Sequence, residues 1–436
     1  MFAKVYIFKQ ADAKLSSFHS SAKTAGEKRN NFINFCAASF GGGMEHKMKT
    51  NVAFFFGGRS VEHEVSIISA QQAMAAANKD KYNVIPIYIT KKGLLYTGDD
   101  MQNIDAFKDI PALLKKSARI ILVNNENGVS IEKYPKPMFG KSLGNIDVAI
   151  PVVHGTNGED GTLQGYLEML GLPYAGCNIL SSAIGMDKIL MKKILKEHGI
   201  PVLDCEYFYA REWFENKKSI IDNIEKIGYP VIIKPANLGS SVGIKKAADL
   251  QELEEAIELA TSFSDKILVE RAITNLREIN CSAMGDSEKI RTSVCEEPFG
   301  GDEILSYQDK YMAGSKEGSK GMASLTRKVP ADIDKETETK IRTYVAQTFK
   351  ILCCNGVARV DCMIDADSGE IYVNEINTIP GSLSFYLWEA AGVKFDEIID
   401  ELIRLALKRE RERQALTFSY DSNLLQLQGG SKGAKK

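Results

Sequence analysis

The sequence predicts an α/β protein that opens on a parallel sheet, and three apolar runs predict it. The first, residues 51–56, ends at Gly57-Gly58 and reads as a buried strand entering a tight loop. A helical stretch at 65–77 and a second run at 83–89 complete the pattern strand, glycine loop, helix, strand. The third run, 147–153, again ends in a loop, at His154-Gly155. Ligands of such sheets bind at the carboxyl ends of the strands, so these loops are candidate site elements.

The texture then changes. A helix at 187–198 is stopped by Gly199 and Pro201. Strands at 230–236 and 242–246 flank a Gly-Ser turn, and 250–260 is an acidic amphipathic helix. Strands follow at 267–272 and 278–284. Residues 306–326 are rich in Gly, Ser and Lys with no apolar period, which predicts a long mobile loop of the functional kind. Residues 357–365 and 370–377 form a hairpin around Asp367-Ser368-Gly369. A helix at 395–412 precedes a polar tail to Lys436 that is expected to be disordered.

Composition narrows the function class. A chain of 436 residues allows two or three domains, and 44% hydrophobic with 26% charged residues is that of a soluble globular protein. A net charge of -2 gives no general pull toward nucleic acid or an anionic membrane, and no apolar run is long enough to cross a bilayer. The eight cysteines form no C-x-x-C pair and have no histidine at zinc spacing, as expected of reduced thiols in the cytoplasm. Residues 1–47 are polar and basic, and their apolar patch at 32–40 is broken by Asn34, unlike a signal-peptide core. Translation starting at Met44 or Met48, with Gly41-Gly42-Gly43 a translated ribosome-binding site, accounts for them; native peptides from 1–43 would refute that.

Several constellations carry chemistry. Glu375 and Asn377 alternate onto one strand face, and Asp361 reaches it across the hairpin. Three hard oxygen side chains suit Mg²⁺, which takes few protein ligands and leaves room for phosphate and water; a solvated sheet face is the competing reading. Flanking Val360, Met363, Val373 and Ile376 pack the sheet, and Arg359 on the same face suits an oxyanion or phosphate. Lys234 precedes a loop with Gly239, Ser240, Ser241 and Gly243 that can cradle a polyphosphate, or be a plain turn. Gly140-Lys141-Ser142 is not a Walker A loop, because Pro135 stands where that motif needs glycine. Lys188 opens a helix, and Glu270 and Glu278 bracket a connection where either could meet a base or ribose. Glu62 could hold an ammonium, although Ser60 capping with Glu64 in the first turn fits the same residues. His154 stands in a second glycine-rich loop, 154–162.

Five ordered blocks resemble the D-alanine–D-alanine ligases of the ATP-grasp superfamily: GGRSVEHEVS, HGTNGEDGTLQGYLEMLGLPYAG, MDK, KPANLGSSVG, and ARVDCMID with VNEINTIPG. The resemblance runs from about Asn51 to about Leu407. It implies a three-domain ATP-grasp architecture with an N-terminal Rossmann-like sheet. On that basis 1–47 is an extension, 48–175 the substrate domain, 176–265 and 266–412 the two ATP-grasp subdomains, and 413–436 a tail.

The resemblance further implies that Glu62 anchors the first ammonium; His154, in a loop at a strand end, is a further substrate-binding candidate from its position in a cleft. Lys188 and Lys234 would bind ATP phosphates under Ser240 and Ser241, Glu270 would face the adenine and Glu278 the ribose. Lys310 and Tyr311 would lie on a mobile ω-loop, with Tyr311 joining Glu62 and Ser240 in a network over the first substrate. Asp361, Glu375 and Asn377 would bind two Mg²⁺, with Mn²⁺ as a substitute, and Arg359 with the Gly381 amide would hold the oxyanion. The implied partners are D-alanine and ATP, with no nucleic acid or membrane, in a cytoplasmic homodimer. A D-serine acceptor, another D-amino acid or a non-catalytic nucleotide-binding protein are the alternatives. Two departures stand out: Tyr386 before Leu387 occupies the place of a serine that contacts the second substrate's carboxylate, with Ser384 the nearest serine. The ω-loop is also longer than usual, and the Glu270–Glu278 spacing carries about one extra residue.

Overall fold

The computed structural model describes residues 49–126, 128–137, 142–239, 242–299 and 327–418. The 1–47 extension, Gly140, Lys141, Ser240, Ser241, the 306–326 segment with Lys310 and Tyr311, and the tail beyond Phe418 lie outside the described residues.

The first sheet contains β1 (Thr50–Gly57), β2 (Tyr82–Ile89), β3 (Leu95–Thr97), β4 (Ala118–Asn125), β5 (Gly128–Lys133), β6 (Asn145–Ile146) and β7 (Val148–Val152), in the order β6-β5-β4-β3-β2-β1-β7. β1 pairs in parallel with β2 and β7, as the three apolar runs predict. The remaining pairs are antiparallel, so the sheet is mixed; β3 to β6 are short or polar on one side and gave no such signal. Val52 to Phe56 are wholly buried because packed layers cover both faces. On one face lie α1 (His63–Ala76) and α2 (Ile110–Lys116), on the other α3 (Thr162–Met169).

α4 (Ile179–Met186) and α5 (Lys188–Glu197) lead into the second sheet. It comprises β8 (Cys205–Tyr209), β9 (Val231–Pro235), β10 (Lys245–Ala247) and β11 (Lys266–Arg271), ordered β10-β9-β11-β8 and antiparallel throughout. α6 (Ala210–Ile227) and α7 (Leu250–Thr261) bury Trp213, Ile224, Leu253 and Ile257 against it. Because β11 belongs to this sheet, the division between sheets falls after Arg271, later than residue 265.

The third sheet, ordered β14-β13-β12-β15-β16, holds β12 (Leu276–Gly285), β13 (Ile290–Pro298), β14 (Arg327–Lys328), β15 (Gly356–Asp365) and β16 (Ile371–Asn377). α8 (Lys335–Ile351) covers one face with Ile341, Val345 and Phe349, and α5 adds Met191 and Leu195. α9 (Phe385–Ala390) and α10 (Phe395–Gln414) close the chain. Ile398, Ile399 and Leu402 of α10 join Val52, Phe54 and Val148 in the first sheet's core, so the end of the chain returns to its beginning. Among the described residues the seven cysteines are free thiols, and no helix is long and apolar enough to cross a membrane.

Candidate active site

Three loops converge on the open face of the third sheet. The first follows β1. Ser60 does not cap α1: its hydroxyl accepts from the Glu62 N–H at 3.1 Å and donates to the His154 carbonyl at 2.7 Å, tying the loops after β1 and β7 together. Glu64 in the first turn pairs with Lys91 instead. Glu62 is only 5% exposed. A Cβ built on Gly155 would come within 2.7 Å of its Oε2, and one on Gly239 within 3.1 Å. Gly155 also has a φ of 73°, a conformation that favours glycine. The two glycine-rich loops therefore close on the carboxylate that the resemblance assigns to an ammonium.

His154 is a joint. Its ring accepts at Nε2 from the Ser69 hydroxyl at 2.8 Å and donates from Nδ1 to the Ile379 carbonyl at 2.8 Å. The carbonyl fixes the tautomer, since it can only accept. Burial holds the imidazole down at about 4, so it stays neutral. Both nitrogens are occupied by protein, so His154 positions the Ile379–Gly381 segment rather than facing a substrate.

Glu159, in the same loop, was quoted in its motif but not singled out. It accepts from the Gly155 N–H at 2.9 Å and the Ile379 N–H at 3.2 Å. Burial, then the neighbouring charges of Glu62 and Glu375, push its carboxyl up to about 8. Glu159 and Glu375 line one small cleft with Lys188, Gly239 and Asn377, and Glu62 sits against Gly239. A cation entering this cleft would be favoured by the acids around it.

Lys188 begins α5, where Asp187 caps the helix by accepting from Ile189 and Leu190. Its Nζ donates to the Leu238 carbonyl at 2.8 Å and lies 3.1 Å from Glu375 Oε2, joining the phosphate-type loop to the carboxylate face. Lys234 ends β9 and contacts Glu270 and, at 3.2 Å, Asn374. Glu270 is 1% exposed and also ion-paired to Lys192 at 2.7 Å. Burial alone would raise this carboxyl, but Lys192 and Lys234 outweigh it and hold it down to about 2. Its side chain is a clamp on two lysines. Lys192 was missed, although it follows Lys188 by one helical turn and so shares its face. Glu278 is exposed on β12.

The hairpin behaves as its spacing predicts. Asp361 pairs in register with Glu375 and Arg359 with Asn377. Arg359 grips Asp361 at 2.6 and 2.7 Å, and Asn377 Nδ2 donates to Asp361 at 3.0 Å. Burial, with Glu375 and Glu296 nearby, pushes the Asp361 carboxyl above its ordinary range in spite of Arg359. Among the described residues no three His, Cys, Asp or Glu side chains cluster as a metal site. Two carboxylates and an amide are what Mg²⁺ accepts when phosphate supplies the other ligands.

Beyond β16, Gly381 opens a left-handed turn in which Ser382, Leu383 and Ser384 have φ of 50°, 54° and 55°. Such a run is costly for L-residues. Ser69 accepts from the Ser382 N–H at 3.0 Å, Gln72 accepts from its hydroxyl at 2.5 Å, and Leu383 is buried. The turn sends Tyr386 toward β13, where its hydroxyl donates to Glu296 Oε1 at 2.9 Å. Leu387 and Ser384 are fully buried, whereas Tyr386 is half-buried with its hydroxyl on Glu296.

A separate groove of about 470 Å³ lies between the β12–β13 turn and α10. Its charges pair with one another, Lys408 with Asp286 and Glu288 and Arg404 with Glu401, and it shares no residue with the cleft.

Two antiparallel sheets facing a lysine-lined cleft, with a carboxylate–arginine hairpin on one of them, define an ATP-grasp protein. Residues 51–177 match the family model "D-ala D-ala ligase N-terminus" and residues 194–404 "D-ala D-ala ligase C-terminus". The chain belongs to the D-alanine–D-alanine ligase family. It is 42% identical over 381 residues to the D-alanine–D-alanine ligase of Thermosipho melanesiensis, covering 87% of this chain and 99% of that one. It superposes on the D-alanine–D-alanine ligase of Coxiella burnetii with a TM-score of 0.70 at 30% identity, over 84% of this chain and 96% of that one. The VanG D-Ala:D-Ser ligase of Enterococcus faecalis follows at 0.68 and 33%, over 82% of this chain and 100% of that one.

Proposed function

We propose that this chain joins two D-alanines into D-alanyl-D-alanine through an acyl phosphate, consuming ATP and releasing ADP, as a step toward peptidoglycan precursors. The observation that carries the reading is a chain of contacts: Glu62 packs against Gly239, Gly239 lines one cleft with Lys188 and Glu375, and Glu375 pairs in register with Asp361. Glu62 takes the ammonium of the first amino acid, and Gly155 and Gly239 leave room for it there. That amino acid's carboxylate attacks the γ-phosphorus, and Lys188 and Lys234 offset the approach of anion to anion. Asp361, Glu375 and Asn377 would hold two Mg²⁺, with Mn²⁺ as a substitute; when bound, these ions neutralise and orient the phosphates. Burial, and after it the neighbouring acids, raises Asp361 and Glu159, and a cation bound there would offset the crowding of negative charge. The second amine then attacks the acyl carbon, Arg359 with the Gly381 N–H steadies the oxyanion, and inorganic phosphate leaves as the C–N bond forms and the nitrogen gives up its proton. The roles given to Ser240, Ser241, Lys310 and Tyr311 fall outside the described residues. Glu278 is the proposed ribose partner, Glu270 a clamp for the phosphate lysines beside the adenine. Cytoplasmic location and a homodimer belong to the same reading.

The likeness to a D-Ala:D-Ser ligase favours D-serine as the second acceptor to consider. A non-catalytic nucleotide-binding protein would have no need of Arg359 or of the paired carboxylates, and all are present. Phosphate release with ATP, Mg²⁺ and D-alanine tests the reading, with D-serine, D-lactate and L-alanine in parallel and the product identified by mass. D-alanyl-D-alanine is expected. No product with any D-amino acid would overturn the proposal.

A further inference from the structure

Two buried serines of α1, Ser66 and Ser69, follow its cap residue Glu62 at helical spacing and so share one face with it. They use their hydroxyls differently. Ser66 donates back to the Glu62 carbonyl at 3.1 Å, as helical serines do, and accepts from the His154 N–H at 2.9 Å. Ser69 directs its proton out of the helix, to His154 Nε2 at 2.8 Å, and accepts from the Ser382 N–H at 3.0 Å. The opposite ring nitrogen donates to the Ile379 carbonyl at 2.8 Å. One relay therefore runs from the Ser382 N–H through Ser69 and His154 to the Ile379 carbonyl. It grips the chain on either side of Gly381, and Ser69 has no part in the steps above.

We propose that Ser69 is a positioning residue for acyl transfer, and that through His154 and the Ser382 N–H it aims the Gly381 N–H at the oxyanion. The inference rests on the ligase reading and names the residue that sets its oxyanion donor. Such a donor is effective only when it is held in place before charge develops. Here the chain just beyond it runs through three left-handed residues, Ser382 to Ser384, each costly for an L-residue unless its surroundings hold it. Ser69 supplies that hold. A hydroxyl that accepts the Ser382 N–H has its proton free for Nε2, which leaves the ring hydrogen on Nδ1 for the Ile379 carbonyl. Without the hydroxyl, one buried N–H and one ring nitrogen lose their partners together. Glu62, proposed to hold the first ammonium, caps the same helix seven residues earlier, about 10 Å away at 1.5 Å per residue. One rigid element then carries both the anchor of the first amino acid and the support of the donor that meets its acyl oxygen.

Ser69 could instead only fasten α1 to the turn, so the test asks what a fastener would not change. In Ser69→Ala the kcat for dipeptide formation should fall about 10- to 100-fold, short of the loss when an oxyanion donor is deleted outright. The KM values for ATP and for both D-alanines should hold. The second measurement is the affinity of a phosphinic-acid dipeptide, whose tetrahedral anionic phosphorus replaces the reacting carbon. It is taken by calorimetry with ADP and Mg²⁺, so that the inhibitor is not phosphorylated. Its affinity should weaken by about the factor that kcat/KM loses, because both report binding of the tetrahedral state. Ser69→Cys keeps the shape of the side chain with a weaker donor and acceptor. It should fall between the two in both measurements, and it serves if the alanine variant does not fold. An unchanged kcat in the folded variant, or a lower kcat with undiminished phosphinate affinity, overturns this proposal alone. Failure of the unaltered chain to make any dipeptide overturns the ligase reading, and this proposal with it.

Discussion

The β15–β16 half of the site face and the β12–β13 half beside it use the same kinds of side chain but are assembled differently. Arg359, Asp361, Glu375 and Asn377 come from one hairpin, so strand alternation alone sets them on a common face. Asn280, Glu296, Arg327 and Tyr386 come from four separate elements, β12, β13, β14 and α9, and meet only when the register of the sheet is set. The first half handles the bond being made. The second gathers three donors onto the buried Glu296 carboxylate. One half of the face thus comes from a local motif and the other from long-range packing.

The sharpest way to break that comparison is Arg359→Ala. Removing an oxyanion donor costs about 100- to 1000-fold in kcat where such donors have been deleted. The same change leaves the Asp361 carboxylate without its bidentate partner. We expect the fall in kcat whichever acceptor is used, measured as ADP release at saturating D-alanine, with thermal melting to show that the fold survives. If the loss instead appeared only in the KM for the second substrate, the hairpin half would not be the one that handles the bond.

The same division explains what could be read from the chain. The strands at 51–56, 83–89 and 147–153 were legible because a both-sides-buried strand is a continuous apolar run. The hairpin carboxylates were legible because period two is local. Lys234 was legible as a strand-end lysine, but not its buried partner, because Glu270, Lys192 and Lys234 come from β11, α5 and β9. From the sequence Glu270 could be a surface charge or a nucleotide's partner; 1% exposure removes the first, and its two ammonium partners tie it to Lys192 and Lys234. His154 was found as a rare histidine beside a cleft; only its two ring contacts, to α1 and to Ile379, turned it into a joint. Burial and pairing decide between such readings, and neither has a short-range signature.

Glu270 gives the intermediate test, in stability rather than rate. Its folded carboxyl is held down to about 2 against an ordinary 4.5, with burial opposing and Lys192 and Lys234 prevailing. As pH falls below 4.5 the unfolded chain takes up a proton there while the folded chain does not. The stabilisation is therefore complete above that value and is lost as pH falls toward 2. A shift of this size corresponds to about 3 kcal/mol. Glu270→Gln should lower the melting temperature at pH 7 and flatten its acid limb between pH 4.5 and 2. An unchanged acid limb would mean that the clamp does not hold as a buried ion pair, and that long-range clusters contribute less than the hairpin does.

Tyr386→Phe is the gentlest probe and the one that separates two roles for a single side chain. It removes the hydroxyl that Glu296 accepts and keeps the ring beneath Arg327. If the hydroxyl itself meets the acceptor's carboxylate, the KM for the second D-alanine should rise about 10- to 100-fold. If Tyr386 acts as a platform, only the orientation of Glu296 is loosened, worth about 1 kcal/mol for one hydrogen bond, or roughly a fivefold rise. Substrate titrations of this variant decide it: a large rise in the KM for the second D-alanine alone assigns the acceptor's carboxylate to the tyrosine hydroxyl, and a small one leaves Tyr386 a platform beneath Arg327.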